Sequence, residues 1–135
     1  MSLSAESNFA GRLVQRLGPG SHLTDAATGV NISAAEVPAL IVGAAAGFLS
    51  TGLQLGEPVL ISCGLSHYST FAYLGAMYAG LVPIPIEERA FQSSGQSLYL
   101  KTCARAVWLG EESQCEWTKE VGATCFKGLF PPLFE

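Results

Sequence analysis

The chain has 135 residues, a length that suits one domain or one large piece of a domain. It is 49% apolar and only 13% charged, with a net charge of −4 and no Lys or Arg between Arg16 and Arg89. Nucleic-acid binding needs clustered cations to displace counterions, and this chain has no such patch, so that class is set aside.

The spacing of Phe9, Leu13 and Leu17 gives one apolar face and predicts a helix over Glu6–Leu17, ended by Gly18-Pro19-Gly20. "SHLTDAATGVNIS" then reads as two short strands about a turn at Thr28-Gly29. Ser33 and Glu36 have capping-box spacing, in which each side chain satisfies a free amide at a helix start. Val37, Leu40, Ile41, Ala44, Phe48 and Leu49 come next at helical spacing, and Gly52 supplies a stop. Pro38 removes a backbone donor near the start and is expected to disturb the first turn.

"EPVLISC", between Gly56 and Gly64, has the continuous apolar character of a buried parallel strand. Ser69–Ala79 is predicted as a helix ended by Gly80. "LVPIPI" is the next strand, and its prolines place it at a sheet edge. A polar stretch, "EERAFQSSGQS", is followed by a predicted helix over Leu98–Ala104, a strand at "AVWL" (106–109), a helix over Glu112–Val121 and a strand at "ATCF". Alternating strands and helices from Pro58 onward imply right-handed crossovers. The expected fold is α/β, a mostly parallel sheet with helices on both faces.

Several motifs invite a chemical reading. Gly64-Leu65-Ser66-His67-Tyr68 sits where a strand meets a helix, the place of a nucleophile elbow, but Tyr68 replaces the second glycine. No histidine follows His67, and the sole aspartate, Asp25, lies upstream. A serine hydrolase is therefore not expected, and Ser66 or Ser69 is read as a helix cap. His67 is a possible general base whose orienting partner the sequence does not reveal. The helix start near Ser66 offers free N–H groups to an anion, as any strand-to-helix turn does. Glu87-Glu88 and Glu111-Glu112 are adjacent pairs and are read as solvated loop charges. The four cysteines, Cys63, Cys103, Cys115 and Cys125, have no CxxC spacing, so reduced thiols rather than a zinc site are expected. Gly43 and Gly47, and the small face formed by Ala72, Gly75, Ala76 and Ala79, are read as letting helices lie close to a sheet. Apolar runs are short or proline-broken, so no membrane span is expected, and no signal peptide is visible.

The order of these phrases resembles the amino-terminal part of the adenylate-forming enzymes: acyl-CoA synthetases, aryl-CoA ligases and peptide-synthetase adenylation domains. "VNISAAEVPAL" stands for the hairpin-to-helix phrase. "FLSTGLQLGEPVLISC" matches at Leu53, Gly56 and Val59, with Glu57 in place of Asp. "AYLGAMYAGLVPIPI" supplies Ala72, Leu74, Gly75, Ala79, Gly80 and Pro85. The match runs over about residues 9–110. It implies that a carboxylate and ATP combine to acyl-adenylate and pyrophosphate, with Mg²⁺ on the phosphates and acyl transfer to a thiol of coenzyme A or a carrier protein.

The family's later phosphate loop, adenine motif and catalytic lysine have no counterparts here. "SSGQSLYLK" (Ser93–Lys101) imitates the loop, too early and with one glycine, and is read as a decoy. The expectation is one partial domain over 1–135, with 1–8 and 128–135 loosely ordered. No catalytic, cofactor-binding or metal-binding residue is assigned, and no cofactor is expected for this chain alone. It is expected to be cytoplasmic, inactive by itself, and partnered by missing downstream polypeptide or by self-association. The alternative is a standalone α/β nucleotide-binding or protein-interaction module completed by another chain.

Overall fold

The computed structural model describes residues 8–26, 28–64, 67–110 and 115–126. The first helix, α1 (Phe9–Arg16), begins at Phe9 because Asn8 caps it, accepting the Gly11 N–H at 2.9 Å. Asn8 also donates to the Met77 carbonyl at 2.9 Å and so ties the helix start to a later element. Glu6 lies outside the described residues. Phe9 is exposed; the packed face is Ala10 with Leu13, Val14 and Leu17, one position round from the expected stripe.

Strands β1 (His22–Thr24) and β2 (Asn31–Ser33) form the expected antiparallel hairpin, with Gly29 at φ +75° in the turn. The capping box is present: the Ser33 N–H donates to Glu36 Oε2 at 3.2 Å and the Glu36 N–H to Ser33 Oγ at 3.3 Å. Helix α2 (Glu36–Leu49) begins there. Pro38 does not interrupt it, because first-turn amides have no intrahelical acceptor and none is lost. Leu49, placed by spacing on the core face, is exposed.

A four-stranded sheet then forms from β3 (Pro58–Cys63), β4 (Val82–Glu87), β5 (Ala106–Trp108) and β6 (Thr124–Phe126) in the order β4-β3-β5-β6. All three pairings are parallel. Side chains alternate across it. Val59, Ile61, Ala106 and Trp108 face a layer containing Phe48 of α2 and Ala72 and Ala76 of α3 (His67–Tyr78). Leu60 and Val107 face Phe91 and Tyr99 of α4 (Glu88–Lys101) and Trp117 of α5 (Glu116–Glu120). Burying both faces is what makes β3 a continuous apolar run. A third cluster, Ala10, Ile32, Val37, Ile41, Phe71 and Leu74, packs α1, the hairpin and α2 against the outer side of α3.

Four expectations need correction. The stretch "EERAFQSSGQS" is not a loop; α4 runs through it to Lys101, and Cys103 at φ 56° turns the chain. The Glu87-Glu88 pair is exposed but stands at the β4–α4 junction rather than in a loop. The small face of α3 is divided: Ala72 and Ala76 lie on the sheet, whereas Gly75 faces α2. A Cβ at Gly75 would stand 2.3 Å from the Ala44 Cβ, so the glycine sets the distance between two helices. Helix α5 is shorter than Glu112–Val121, and Glu111-Glu112 lies outside the described residues, as do the ends 1–7 and 127–135.

The prolines of β4 have a specific side. The Val82 N–H donates to the Glu57 carbonyl at 3.0 Å, toward β3. Alternation along the strand then turns positions 83 and 85 outward. Pro83 and Pro85 thus occupy the positions where an edge strand has no use for an N–H, and they close that edge to further pairing.

Candidate functional site at the β3–α3 junction

The first loop of the sheet brings together residues far apart in sequence. Asp25, at the tip of the hairpin, is buried and accepts the His67 backbone N–H at 3.0 Å through Oδ2. The same oxygen accepts from His67 Nδ1 at 2.7 Å, while Oδ1 accepts the Thr28 N–H at 3.3 Å. One carboxylate thus caps α3, orients an imidazole and fixes its own turn. A carboxylate has no hydrogen to give, so at 2.7 Å it fixes the ring hydrogen on Nδ1 and leaves Nε2 as the second nitrogen. The ring stacks on Tyr68 at 4.4 Å and meets Phe71 edge-on at 6.4 Å.

This arrangement answers the questions raised by the sequence. The cap of α3 is Asp25, 42 residues away, not Ser69, whose hydroxyl donates to the Gly64 carbonyl at 3.4 Å. Ser66 lies outside the described residues. His67 does have an orienting acid, which sequence reasoning missed because nothing local links a hairpin tip to a distant helix start. The only available signal was that Asp25 is the chain's single aspartate and sits in a turn. With a carboxylate already on its first amide, the α3 terminus offers an incoming anion one donor fewer and a negative charge beside the rest.

Beside the junction, Cys63, Ser69, Thr70, Tyr73 and Leu74 line a shallow pocket of about 230 Å³, smaller than the roughly 300–1,000 Å³ of small-molecule sites. Burial raises the Cys63 thiol pKa, only partly offset by a backbone hydrogen bond from Ile86, which disfavours the thiolate. All four cysteines are free thiols, and no group of three or more metal-ligating side chains occurs among the described residues.

The segment that imitates a phosphate loop is the carboxy-terminal part of α4, where backbone amides serve the helix's own ladder. Its glycine has a packing role: a Cβ at Gly95 would lie 2.7 Å from Trp117 Cζ2. The indole is held there by its Nε1–H, which donates to the Phe91 carbonyl at 3.0 Å. These residues do not fit a nucleotide's phosphates.

No protein-family model matches the sequence, and comparison with curated protein sequences finds no match either. Solved structures do match. Apo MatB from Rhodopseudomonas palustris aligns with 93% of this chain at 25% identity and a TM-score of 0.77. VinN in complex with L-aspartate aligns with 89% at 17% identity and a TM-score of 0.75. A benzoate CoA ligase from Burkholderia xenovorans aligns with 89% at 22% identity and a TM-score of 0.65. The architecture is that of the N-terminal domain of the adenylate-forming enzymes, as the sequence phrases implied. The chain spans 25% of the length of MatB and of the benzoate CoA ligase, and 35% of VinN. No helix among the described residues is long and apolar enough to cross a membrane.

Proposed function

We propose that this chain is the N-terminal structural portion of an ATP-dependent carboxylate-activating ligase. The complete enzyme would join a carboxylate to ATP, giving acyl-adenylate and pyrophosphate, and pass the acyl group to a thiol of coenzyme A or a carrier protein. The observation that carries this reading is the alignment of 93% of the chain with only a quarter of MatB, a protein with a solved ATP-bound structure.

In this reading residues 1–135 are one partial domain that binds no cofactor and catalyses nothing alone. They form a wall of parallel strands behind a reaction centre built by later residues. ATP, Mg²⁺ and the acceptor thiol belong to the complete enzyme, which works in the cytoplasm and does not engage nucleic acid. The side chains of the junction and of α4 support a structural role: Asp25 is used up by His67 and Thr28, Cys63 is kept neutral, and Gly95 is used for packing.

The test is carboxylate-dependent exchange of labelled pyrophosphate into ATP, scanned over aryl, short-chain and dicarboxylic acids. The purified 135-residue chain is expected to give none, and the chain continued into its downstream polypeptide is expected to exchange. Exchange by the short chain would refute its passive role. A short chain that binds nucleotide tightly as a monomer would favour the standalone module instead.

A further inference from the structure

Helix α2 is built differently from the other outer helices. The solvent faces of α1 and α4 carry Arg12, Arg16, Arg89 and Gln92. From Val37 to Leu49, α2 has no polar side chain at all. A helix that is apolar all round belongs in an interior. Its inner face does lie there: Ile41, Ala44, Ala45 and Phe48 are buried. Its outer face does not. Ala39, Val42, Ala46 and Leu49 recur at i, i+3, i+7 and i+10 on one stripe, with Ala39 exposed, Leu49 44% exposed, and Val42 and Ala46 half-buried. The helix ends are also finished as for burial. Ser33 and Glu36 close the start, and Pro38 brings no N–H. At the other end the Ser50 hydroxyl donates to the Gly47 carbonyl at 2.7 Å and the Thr51 hydroxyl to the Phe48 carbonyl at 2.9 Å.

We propose that the outer face of α2 is a dimer interface and that its occupant is α2 of a second copy of this chain, lying antiparallel across a two-fold axis. This goes beyond the ligase reading and does not depend on it. Charge selects the occupant. The stripe has none, so it gives no grip to a partner recognised by charge, and the chain's net charge of −4 lies off it. The other large exposed apolar side chains, Phe9, Val30, Leu55, Val82 and Leu100, stand singly on different segments. The described surface that matches the stripe is therefore the stripe itself, and a face that meets its own copy closes at two. Glu36 sets the direction, because it is the only charge in α2 and stands at its first residue. Parallel helices would put two such carboxylates side by side. Antiparallel ones hold them about 20 Å apart and oppose the helix dipoles. Val42 then lies at the two-fold axis, and Leu49 lies opposite Glu36 of the other copy. One helix face falls short of the roughly 800 Å² per partner of a stable dimer, so the pairing is weak.

Sedimentation velocity of the 135-residue chain from about 10 μM to about 1 mM tests this. A reversible dimer is expected, half-formed near about 0.1 mM. Val42→Lys, which sets two like charges against each other on the axis, should weaken it by about 30-fold or more. Leu49→Lys, opposite a carboxylate, should keep or tighten it, although it removes the most exposed apolar residue of the stripe. Thermal melts check that both variants fold. Should Val42→Lys unfold the chain, cross-linking decides. With Cys103→Ser and Cys125→Ser in place, Val42→Cys copies should be joined to each other by a short bismaleimide, and Leu100→Cys copies should not. A chain that stays monomeric at about 1 mM, associates beyond the dimer, or forms a dimer indifferent to Val42→Lys overturns the proposal. So does a dimer that Leu49→Lys breaks as strongly. A monomer that binds phosphatidylcholine vesicles, and loses them with Val42→Lys, assigns the face to a membrane and overturns it too. In the chain continued downstream, a monomer in which the Val42→Cys thiol is shielded assigns the face to later polypeptide, with the same result.

Discussion

Replacing Asp25 by alanine is expected to loosen the hairpin from α3. The substitution removes a helix cap, worth about 1 kcal/mol. It also leaves the largely buried His67 ring N–H without its acceptor, at a cost of about 1–3 kcal/mol. The Thr28 bond, at 3.3 Å in an exposed turn, adds little. The sum is about 2–4 kcal/mol, a large part of the 5–15 kcal/mol of a typical domain. At about 4 °C per kcal/mol for a chain of this size, the melting temperature falls by about 8–16 °C.

The variants should be ordered. Asp25→Asn keeps one acceptor oxygen of the same shape and is expected to lose about half as much as Asp25→Ala. His67→Ala keeps the backbone cap and is also intermediate. The double variant should cost less than the sum of the two alanine changes by about 1–2 kcal/mol, because the ring bond is counted in both. Urea unfolding followed by far-ultraviolet circular dichroism measures all four. An Asp25→Ala protein within about 0.5 kcal/mol of the parent, or a strictly additive double variant, would refute the idea that one carboxylate joins hairpin, helix and imidazole.

Four further outcomes rest on packing and titration. Gly75→Ala gains up to about 1 kcal/mol of helix propensity but drives a methyl into Ala44 at 2.3 Å. Overpacking of this kind costs about 1–3 kcal/mol, so a net loss is expected in denaturant titration, eased by the added change Ala44→Gly. Gly95→Ala displaces the Trp117 ring and should shift its fluorescence as well as lower stability; an unchanged emission spectrum would contradict the contact. Ellman's reagent should titrate the exposed Cys103 and Cys125 fast in the native chain, the half-buried Cys63 more slowly, and the buried Cys115 only on unfolding. Because the folded-state pKa of Cys63 lies above its unfolded value, the fold should lose stability as pH rises above the ordinary thiol range near about 8.5, and Cys63→Ala should blunt that loss.

What the sequence revealed was whatever a single element decides for itself. Ser33 and Glu36 meet because a helix start brings positions three apart together. The apolar run of β3 shows a strand buried on both faces, and the prolines of β4 show an edge. What it hid was decided between elements. Gly95 inside "SSGQS" has the composition of a loop, and only the Trp117 ring across from it explains a glycine in mid-helix. The α1 stripe was misplaced by one position because Phe9 is apolar, yet the face in contact is chosen by α2 and α3. The Asp25–His67 pair was invisible because no local rule relates the hairpin tip to the start of α3. The family resemblance was legible earlier than the site because it rests on phrases in order, each a local feature, whereas a site is a meeting of distant ones.

The carboxyl end of the sheet bears on nucleotide binding. In open α/β sheets ligands bind beyond the carboxyl ends of the strands, where neighbouring loops lead to opposite faces. Here that point lies between β3, whose loop leads to α3 on one face, and β5, whose chain leads to α5 on the other. A nucleotide would need free amides and positive charge around it. The first amide of α3 is taken by the Asp25 carboxylate. Helix α4 begins with Glu87 and Glu88, with Arg89 balancing only one of them, and the Glu88 carboxylate lies 3.2 Å from where a Gly64 Cβ would be. Negative charge at these positions repels phosphate. Titration of ATP with Mg²⁺ into the 135-residue chain should therefore show no saturation below about 1 mM, a binding free energy of about −4 kcal/mol. Micromolar saturation would mean that these carboxylates do not govern the edge, and that nucleotide phosphates are held by this chain rather than by polypeptide downstream of Glu135.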